Sequence, residues 1–131
     1  MRKLFNLDLP FQEVAPIEAE GLDLYLVEKD GDFFLGTSKE DEQLICAFFI
    51  LYNDVEELAE EILDEMKQIH VGELQSEQYG LEQFGYVRLY RETTEFFNEH
   101  GTLEISIPTK QMISIIRKVL EIVPEDVKNL V

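Results

Sequence analysis

An apolar run lies near the middle of this chain, from Leu44 to Tyr52, and any fold of the chain has to bury it. No charged residue interrupts the run, and it is rich in residues that favour β-structure. A strand that is apolar on both faces has to be covered on both faces, as central strands are. The run therefore predicts the central strand of a sheet. Cys46, the one cysteine, is predicted to be an unreactive core residue rather than a nucleophile.

Upstream of this run, the sequence predicts a β-hairpin. An apolar segment from Leu22 to Val27 is separated from Phe33, Phe34 and Leu35 by a charged stretch that contains Asp30-Gly31. Asp-Gly is favoured in tight hairpin turns because both central residues adopt positive φ angles there. A second turn is expected from Thr37 to Asp41.

Downstream of the run, apolar residues recur at steps of three or four and predict a helix that begins after the capping residue Asn53 and ends at Gly72. Its buried stripe consists of Val55, Leu58, Ala59, Ile62, Met66 and Ile69.

A last helix is predicted to begin at Pro108 and Thr109 and to stop at Pro124. Ile115 and Ile122 lie off its main stripe, and burial beneath residues 127–131 is favoured over a dimer interface as their role. The main stripe consists of Met112, Ile113, Ile116, Val119, Leu120 and Val123.

Between the two helices, alternating apolar residues predict strands around Val87 to Arg91 and Leu103 to Ile107. The segment from Glu73 to Gly85, which contains two glycines, is predicted to be a loop. Thr93 to His100 fits either a short helix or a strand that turns at Asn98 to Gly101, and the helix is preferred. Together these elements predict an α+β fold in one domain, residues 1–131, with a mostly antiparallel sheet of about five strands and two long helices packed on it.

The charge balance narrows the possible partners. Asp and Glu total 28 against 11 for Lys and Arg, which gives a formal net charge of -17. Such a surface repels a phosphate backbone, so no nucleic-acid partner is expected. Asp8 and Pro10 interrupt the apolar start of the chain, and no run reaches bilayer-spanning length. A cytoplasmic protein that makes no membrane contact is therefore predicted.

No catalytic, phosphate-binding or metal-binding motif is present, so no catalytic residue, metal or cofactor is predicted. His70 and His100 lie near predicted helix or turn ends, where an imidazole commonly has a structural role. A small enzyme that uses one of them with a Glu or Asp, in a pocket of the segment from Glu73 to Gly85, is an alternative interpretation.

Acidic residues crowd the outer side of the first predicted helix, and no lysine occurs among them before Lys67. Like charges one turn apart cost about 0.2–0.5 kcal/mol per pair. A merely solvated face usually mixes charges of both signs, so a binding face for a basic partner is weighed equally with a plain soluble face. The candidate partner-binding residues are Glu56, Glu57, Glu60, Glu61, Asp64 and Glu65, with a second patch at Glu40, Asp41 and Glu42.

The chain resembles bacterial immunity proteins, a class that binds and neutralises toxins, often nucleases. The resemblance lies in the acidic helix, in the small size of the chain and in the lack of catalytic motifs. The resemblance implies a non-enzymatic inhibitor that occludes the active site of a basic toxin. On this hypothesis, Tyr79 or Tyr86 is expected to add affinity as an aromatic anchor, and the chain is expected to be a monomer or weak dimer. The alternative is an accessory or adaptor domain whose acidity serves only solubility.

Overall fold

A computed structural model of the chain describes Leu4, residues 10–51 and residues 55–123. The predicted α+β class is confirmed, but in this part of the chain seven strands form two antiparallel sheets, whereas one sheet of about five strands was predicted, and there are more helical segments than the two long helices expected. The first sheet has the order β1-β2-β3 and consists of β1 (Gln12–Ile17), β2 (Leu24–Lys29) and β3 (Asp32–Thr37). The second has the order β4-β5-β6-β7 and consists of β4 (Ser76–Gly80), β5 (Gly85–Tyr90), β6 (Thr93–Asn98) and β7 (Leu103–Pro108).

Helical segments follow each sheet. After the first sheet come a 3₁₀ turn (Glu40–Glu42), α1 (Gln43–Leu51), α2 (Val55–Glu57), a π-helical segment (Leu58–Ile62) and α3 (Leu63–His70). A further 3₁₀ turn (Glu82–Phe84) precedes β5, and α4 (Thr109–Ile122) follows the second sheet.

The predicted hairpin is confirmed as β2 and β3, which pair in register around the turn at Asp30 and Gly31. Both turn residues have positive φ angles, 53° and 86°. Asp-Gly was therefore a reliable signal, because few other residue pairs adopt this turn without strain.

The predicted central strand is wrong, because the apolar run from Leu44 onward lies in helix α1. This helix contacts β3 of the first sheet and β6 of the second, so it is covered from both sides. Ile45, Cys46 and Phe48 are fully buried. A helix buried on all sides is apolar on all sides, and a short apolar run cannot distinguish it from a buried strand. Tyr52, with the expected cap Asn53, lies outside the described residues.

Two further predictions fail in the second half of the chain. The segment predicted as a loop contains strand β4, and the segment preferred as a helix is strand β6, which turns at Asn98 to Gly101 as the alternative stated. The sequence around Thr93 to Asn98 alternates weakly, but pairing on both sides with β5 and β7 determines its conformation. Strand β1 was not predicted at all.

Helix α4 begins at Thr109 as predicted, and its expected stripe is buried or half-buried. Ile115 is fully buried in the main core, and the half-buried Ile122 packs against that core. The expected stop at Pro124 and the covering segment 127–131 lie outside the described residues.

One cluster of buried side chains includes residues of both sheets and of α1, α3 and α4. The first sheet is covered on its second face as well, where Leu4 and Phe11 pack with Val27 and the half-buried Tyr25 and Phe34. The second sheet differs, because its side chains alternate between this shared core and a face on which most side chains are exposed or half-buried. No helix in the described part of the chain is long and apolar enough to cross a membrane.

Candidate functional site: an acidic helix face

The acidic face lies on one side of the helical stretch from Val55 to His70. Glu56, Glu60, Glu61 and Asp64 are exposed, while Glu57 and Glu65 are half-buried at its margin. The other side of the stretch is buried in the main core through Leu58, Ile62, Leu63, Met66 and Ile69. Burial of that apolar side holds the carboxylates outward, so the predicted acidic face is a real surface of the fold.

The π-helical segment Leu58–Ile62 lies in the middle of this face. Its wider turn closes with a hydrogen bond from the Leu63 N–H to the Leu58 carbonyl, five residues apart. The wider turn brings both Ile62 and Leu63 into the core and leaves Ala59 exposed, although Ala59 was predicted to be buried. π-Helical turns of this kind are rare and often occur at functional sites.

Around the π segment, Glu56, Glu57, Glu60 and Glu61 line a shallow depression of about 240 Å³. Within the described part of the chain, no lysine, arginine or histidine forms an ion pair with Glu60, Glu61 or Asp64. Asp64 accepts a hydrogen bond from the Gln68 amide at 2.6 Å. At Glu60, Glu61 and Asp64, the face therefore concentrates negative charge that no described cationic side chain neutralises through an ion pair.

Glu65 connects the helix to strand β4. Its carboxylate accepts a hydrogen bond from the Tyr79 hydroxyl at 2.8 Å, and the Tyr79 ring packs edge-on against Phe48 of α1 at 5.8 Å. Partial burial raises the pKa of the Glu65 carboxyl, and the neighbouring Glu77 and Glu61 carboxylates raise it further, while the Tyr79 hydrogen bond lowers it. Glu65 thus lies at the edge of the acidic face and also connects α3 to β4 through its hydrogen bond with Tyr79.

The second predicted patch is only partly at the surface. Glu40 and Asp41 are exposed on the 3₁₀ turn before α1. Glu42 is 1% exposed, and one of its carboxylate oxygens accepts hydrogen bonds from the Asp23 N–H and the Thr37 hydroxyl, each at 2.9 Å. The other oxygen lies 3.8 Å from the Lys39 ammonium. The expectation that Glu42 belongs to an exposed patch is wrong, because its carboxylate instead satisfies buried donors.

The two proposed aromatic anchors lie in different places. Tyr79 is half-buried and held by Glu65 and Phe48, so it supports the acidic helix from below. Tyr86 stacks on Phe97 on the face of the second sheet that points away from the shared core. The structure therefore associates Tyr79, but not Tyr86, with the acidic face.

The contacts of the two histidines and of the cysteine bear on whether any of them could be a reactive group. A ring nitrogen of His70 lies 3.3 Å from the Arg91 carbonyl oxygen, and His100 is exposed beside Glu99 in the β6–β7 turn. Burial strongly raises the pKa of the Cys46 thiol, and the nearby Glu42 carboxylate adds to the effect. This thiol is therefore protonated at neutral pH and unreactive. Among the described residues, no group of three or more His, Cys, Asp or Glu side chains could hold a metal ion.

Comparison with protein-family models, with curated proteins and with solved structures found no match for this chain.

Proposed function

We propose that the chain is a non-enzymatic inhibitor or immunity protein that binds a basic protein, such as a toxin with a nuclease-like active site, through the acidic face of α2, the π segment and α3. The observation that carries the proposal is the exposed series Glu56, Glu60, Glu61 and Asp64 on a helix whose opposite side is anchored in the core. A nuclease active site is lined with basic residues that receive phosphates. A rigid row of carboxylates can occupy the same positions.

The mechanism under this proposal is occlusion rather than chemistry. A net charge of -17 accelerates the approach of a basic partner, because steering depends on the summed charge of the surface. Contact then pairs the exposed carboxylates with arginines and lysines of the partner. The half-buried Glu57 and Glu65 contribute at the rim of the contact.

The energetics of the free protein support this proposal. Crowding like charges on one helix costs roughly 0.2–0.5 kcal/mol for each pair that lies one turn apart. Pairing with cationic side chains of a partner would turn this repulsion into attraction. A small loss of stability in the free state is typical of residues that are selected for binding.

The proposal is tested by capture from the lysate of the source organism at low and at high salt, followed by identification of the retained proteins. The expected result is a basic protein that is retained at about 0.05 M salt and released at about 0.5 M, because exposed charge pairs are screened at high salt. The captured protein is then co-expressed with this chain, and its toxicity is expected to be suppressed.

A partner retained equally at both salt concentrations would instead favour the adaptor interpretation, in which the acidity serves only solubility. A basic partner whose toxicity is not suppressed would contradict the inhibitor proposal directly.

A further inference from the structure

On one face of the second sheet, the described side chains of β5, β6 and β7 are mostly exposed or half-buried. Along β5 and β6, Val87, Leu89 and Phe96 point into the shared core, so Tyr86, Arg88 and Phe97 point the other way. Among large apolar side chains, Tyr90 is 38% exposed on this face and Leu103 is 47% exposed. The first sheet differs, because Leu4 and Phe11 pack on its second side.

We propose that this open face, hereafter the sheet face, binds a second copy of the chain to form a symmetric dimer. The cross-strand register arranges the sheet face in rows that run from β4 to β7. One row contains Gly80, Tyr86, Phe97 and Leu103, and the next contains Gln78, Arg88, Glu95 and Ser106. The two rows determine whether this face can pair with the same face of a second copy.

The charged row provides the first argument. Arg88 and Glu95 are directly opposed on neighbouring strands, yet no ion pair joins them among the described residues. The Arg88 guanidinium instead lies 5.5 Å from the centre of the Tyr86 ring and 5.6 Å from that of Phe97, and its Nε donates to the Gln78 amide oxygen at 3.4 Å. Arg88 and Glu95 thus lie next to each other on neighbouring strands but do not form an ion pair.

Consider a two-fold axis that runs parallel to the strands and lies between the two copies, above the gap between β5 and β6. This axis would place β5 of one copy over β6 of the other. Arg88 of each copy then faces Glu95 of the second copy, so the interface contains two ion pairs. The symmetry requires such self-complementarity, because the same patch serves both partners. Two sheets packed face to face in this way keep their strands roughly aligned.

The apolar row provides the second argument. The same axis places Tyr86 over Phe97 of the second copy, so the aromatic pair of each chain, whose ring centres are 4.9 Å apart, would contact the pair of the other chain. It also places the exposed Leu103 over Gly80 of the second copy. A Cβ added at Gly80 would meet no atom within 4 Å, so there is space for the leucine side chain.

The size of the sheet face limits the affinity. Four strands spaced about 4.8 Å apart, with a rise of about 3.3 Å per residue, give a face of roughly 20 by 20 Å. Two such faces together give about 800 Å², which is below the range of stable specific interfaces and within that of weak, transient ones. The dimer is therefore expected to be weak and to depend on protein concentration. It also leaves the acidic face open, because α3 packs on the opposite side of the sheet.

The test is sedimentation equilibrium of the full chain from about 10 μM to about 500 μM at about 0.15 M salt, where charges are screened beyond about 8 Å. Wild-type protein is expected to shift from monomer to dimer over this range. Arg88→Glu and Glu95→Arg should each weaken dimerisation about tenfold or more, because each places like charges across the axis. Glu28→Arg, a matched reversal of an exposed acid on the first sheet, should leave it unchanged.

Two rescue measurements distinguish this interface from misfolding. An equimolar mixture of the Arg88→Glu and Glu95→Arg chains should form a heterodimer, since one chain then presents two acids and the other two arginines. The double variant Arg88→Glu/Glu95→Arg should dimerise to within about threefold of wild type. A monomeric wild type throughout the range, single variants that dimerise as well as Glu28→Arg, or failure of both rescues would overturn the proposal. A failed dimer leaves the proposed inhibitor function untouched, because the two surfaces lie on different sides of the fold.

Discussion

Glu42 shows how the environment of one residue determines whether an acid serves binding or structure. Its neighbours Glu40 and Asp41 are exposed, whereas its own carboxylate is buried and accepts hydrogen bonds from Asp23 and Thr37. Composition alone treats all three acids alike. The carboxylate instead joins the start of β2 to the end of β3, just before α1 begins.

Replacing Glu42 by alanine is expected to destabilise the fold by about 2–3 kcal/mol, because it removes the acceptor of the half-buried Asp23 N–H and of the buried Thr37 hydroxyl. Urea unfolding measures this loss. The Glu42→Gln variant, which keeps an acceptor oxygen, should lose less. Glu40→Ala, the exposed control, should stay within about 0.5 kcal/mol of wild type. Equal losses for Glu42→Ala and Glu40→Ala would contradict the assigned role.

The raised pKa of the Glu65 carboxyl predicts that the stability of the fold depends on pH. This pKa is raised in the folded state, so the folded protein binds this proton more tightly than the unfolded chain does. The stability from this proton is present at low pH and is lost as the pH rises through the folded-state pKa. Glu65→Gln mimics the protonated form and keeps an acceptor for Tyr79.

The stability of Glu65→Gln relative to wild type should therefore increase as the pH is raised from about 4 to about 8. Urea unfolding of both proteins at each pH provides the measurement, and the difference between them cancels the titration of the acids that do not interact with Glu65. A difference that stays constant or declines with rising pH would refute this role of Glu65.

At the scale of elements, local signals predicted correctly the segments that local chemistry determines. The turn at Asp30-Gly31, the start of α4 at Thr109 and the end of α3 near Gly72, whose φ is 88°, were all predicted because glycine and turn residues act within a few positions. The apolar stripe of the helix was also predicted, apart from Ala59.

The remaining elements depend on contacts between distant parts of the chain. Helix α1 is apolar all round because sheets on both sides cover it, and no feature within the run reports those neighbours. Strand β4 consists mostly of exposed polar residues, so it lacks an apolar alternation, and pairing with β5 determines its conformation. The acidic face was predictable because it needs only helical periodicity, whereas the burial of Glu42 requires the packed fold.

The turn from β4 into β5 provides a prediction at this scale. Gly85 has a φ of 141°, and a Cβ there would come within 1.9 Å of the Phe97 carbonyl oxygen. Gly85→Ala is therefore expected to destabilise the fold by about 3 kcal/mol or more. Gly80→Ala in β4 has open space and should change stability by less than about 1 kcal/mol. Thermal unfolding of dilute protein compares the two, and similar melting temperatures would contradict the close backbone approach at Gly85.

At the scale of the whole molecule, the dominant property is a net charge of -17 on a chain of 131 residues. Self-repulsion of this size destabilises the compact state, and salt relieves it. Raising the salt from about 0.01 M to about 0.3 M should increase the melting temperature by several degrees. Chloride and nitrate salts should act equally if screening is the cause, and an unchanged melting temperature would contradict it.

The two proposed surfaces differ in their charge. The acidic face is suited to a basic partner, while the sheet face carries a balanced cation and anion among aromatic side chains. Association through the sheet face would yield a dimer with two outward acidic faces. Each surface can be disrupted without touching the other, so their contributions are separable.

Under the proposed function, the acidic face, and not net charge in general, binds a basic partner. The decisive experiment replaces the exposed Glu56, Glu60, Glu61 and Asp64 with lysine and compares this variant with a control in which Glu18, Glu20, Glu28 and Glu121 are replaced by lysine, an equal change in net charge on other exposed surfaces. Binding to the captured basic partner is measured by calorimetry at one salt concentration. The first variant is expected to stay folded but to lose at least about a hundredfold in affinity, while the control loses less than about tenfold. Equal affinities of the two variants would contradict a binding role for the acidic face.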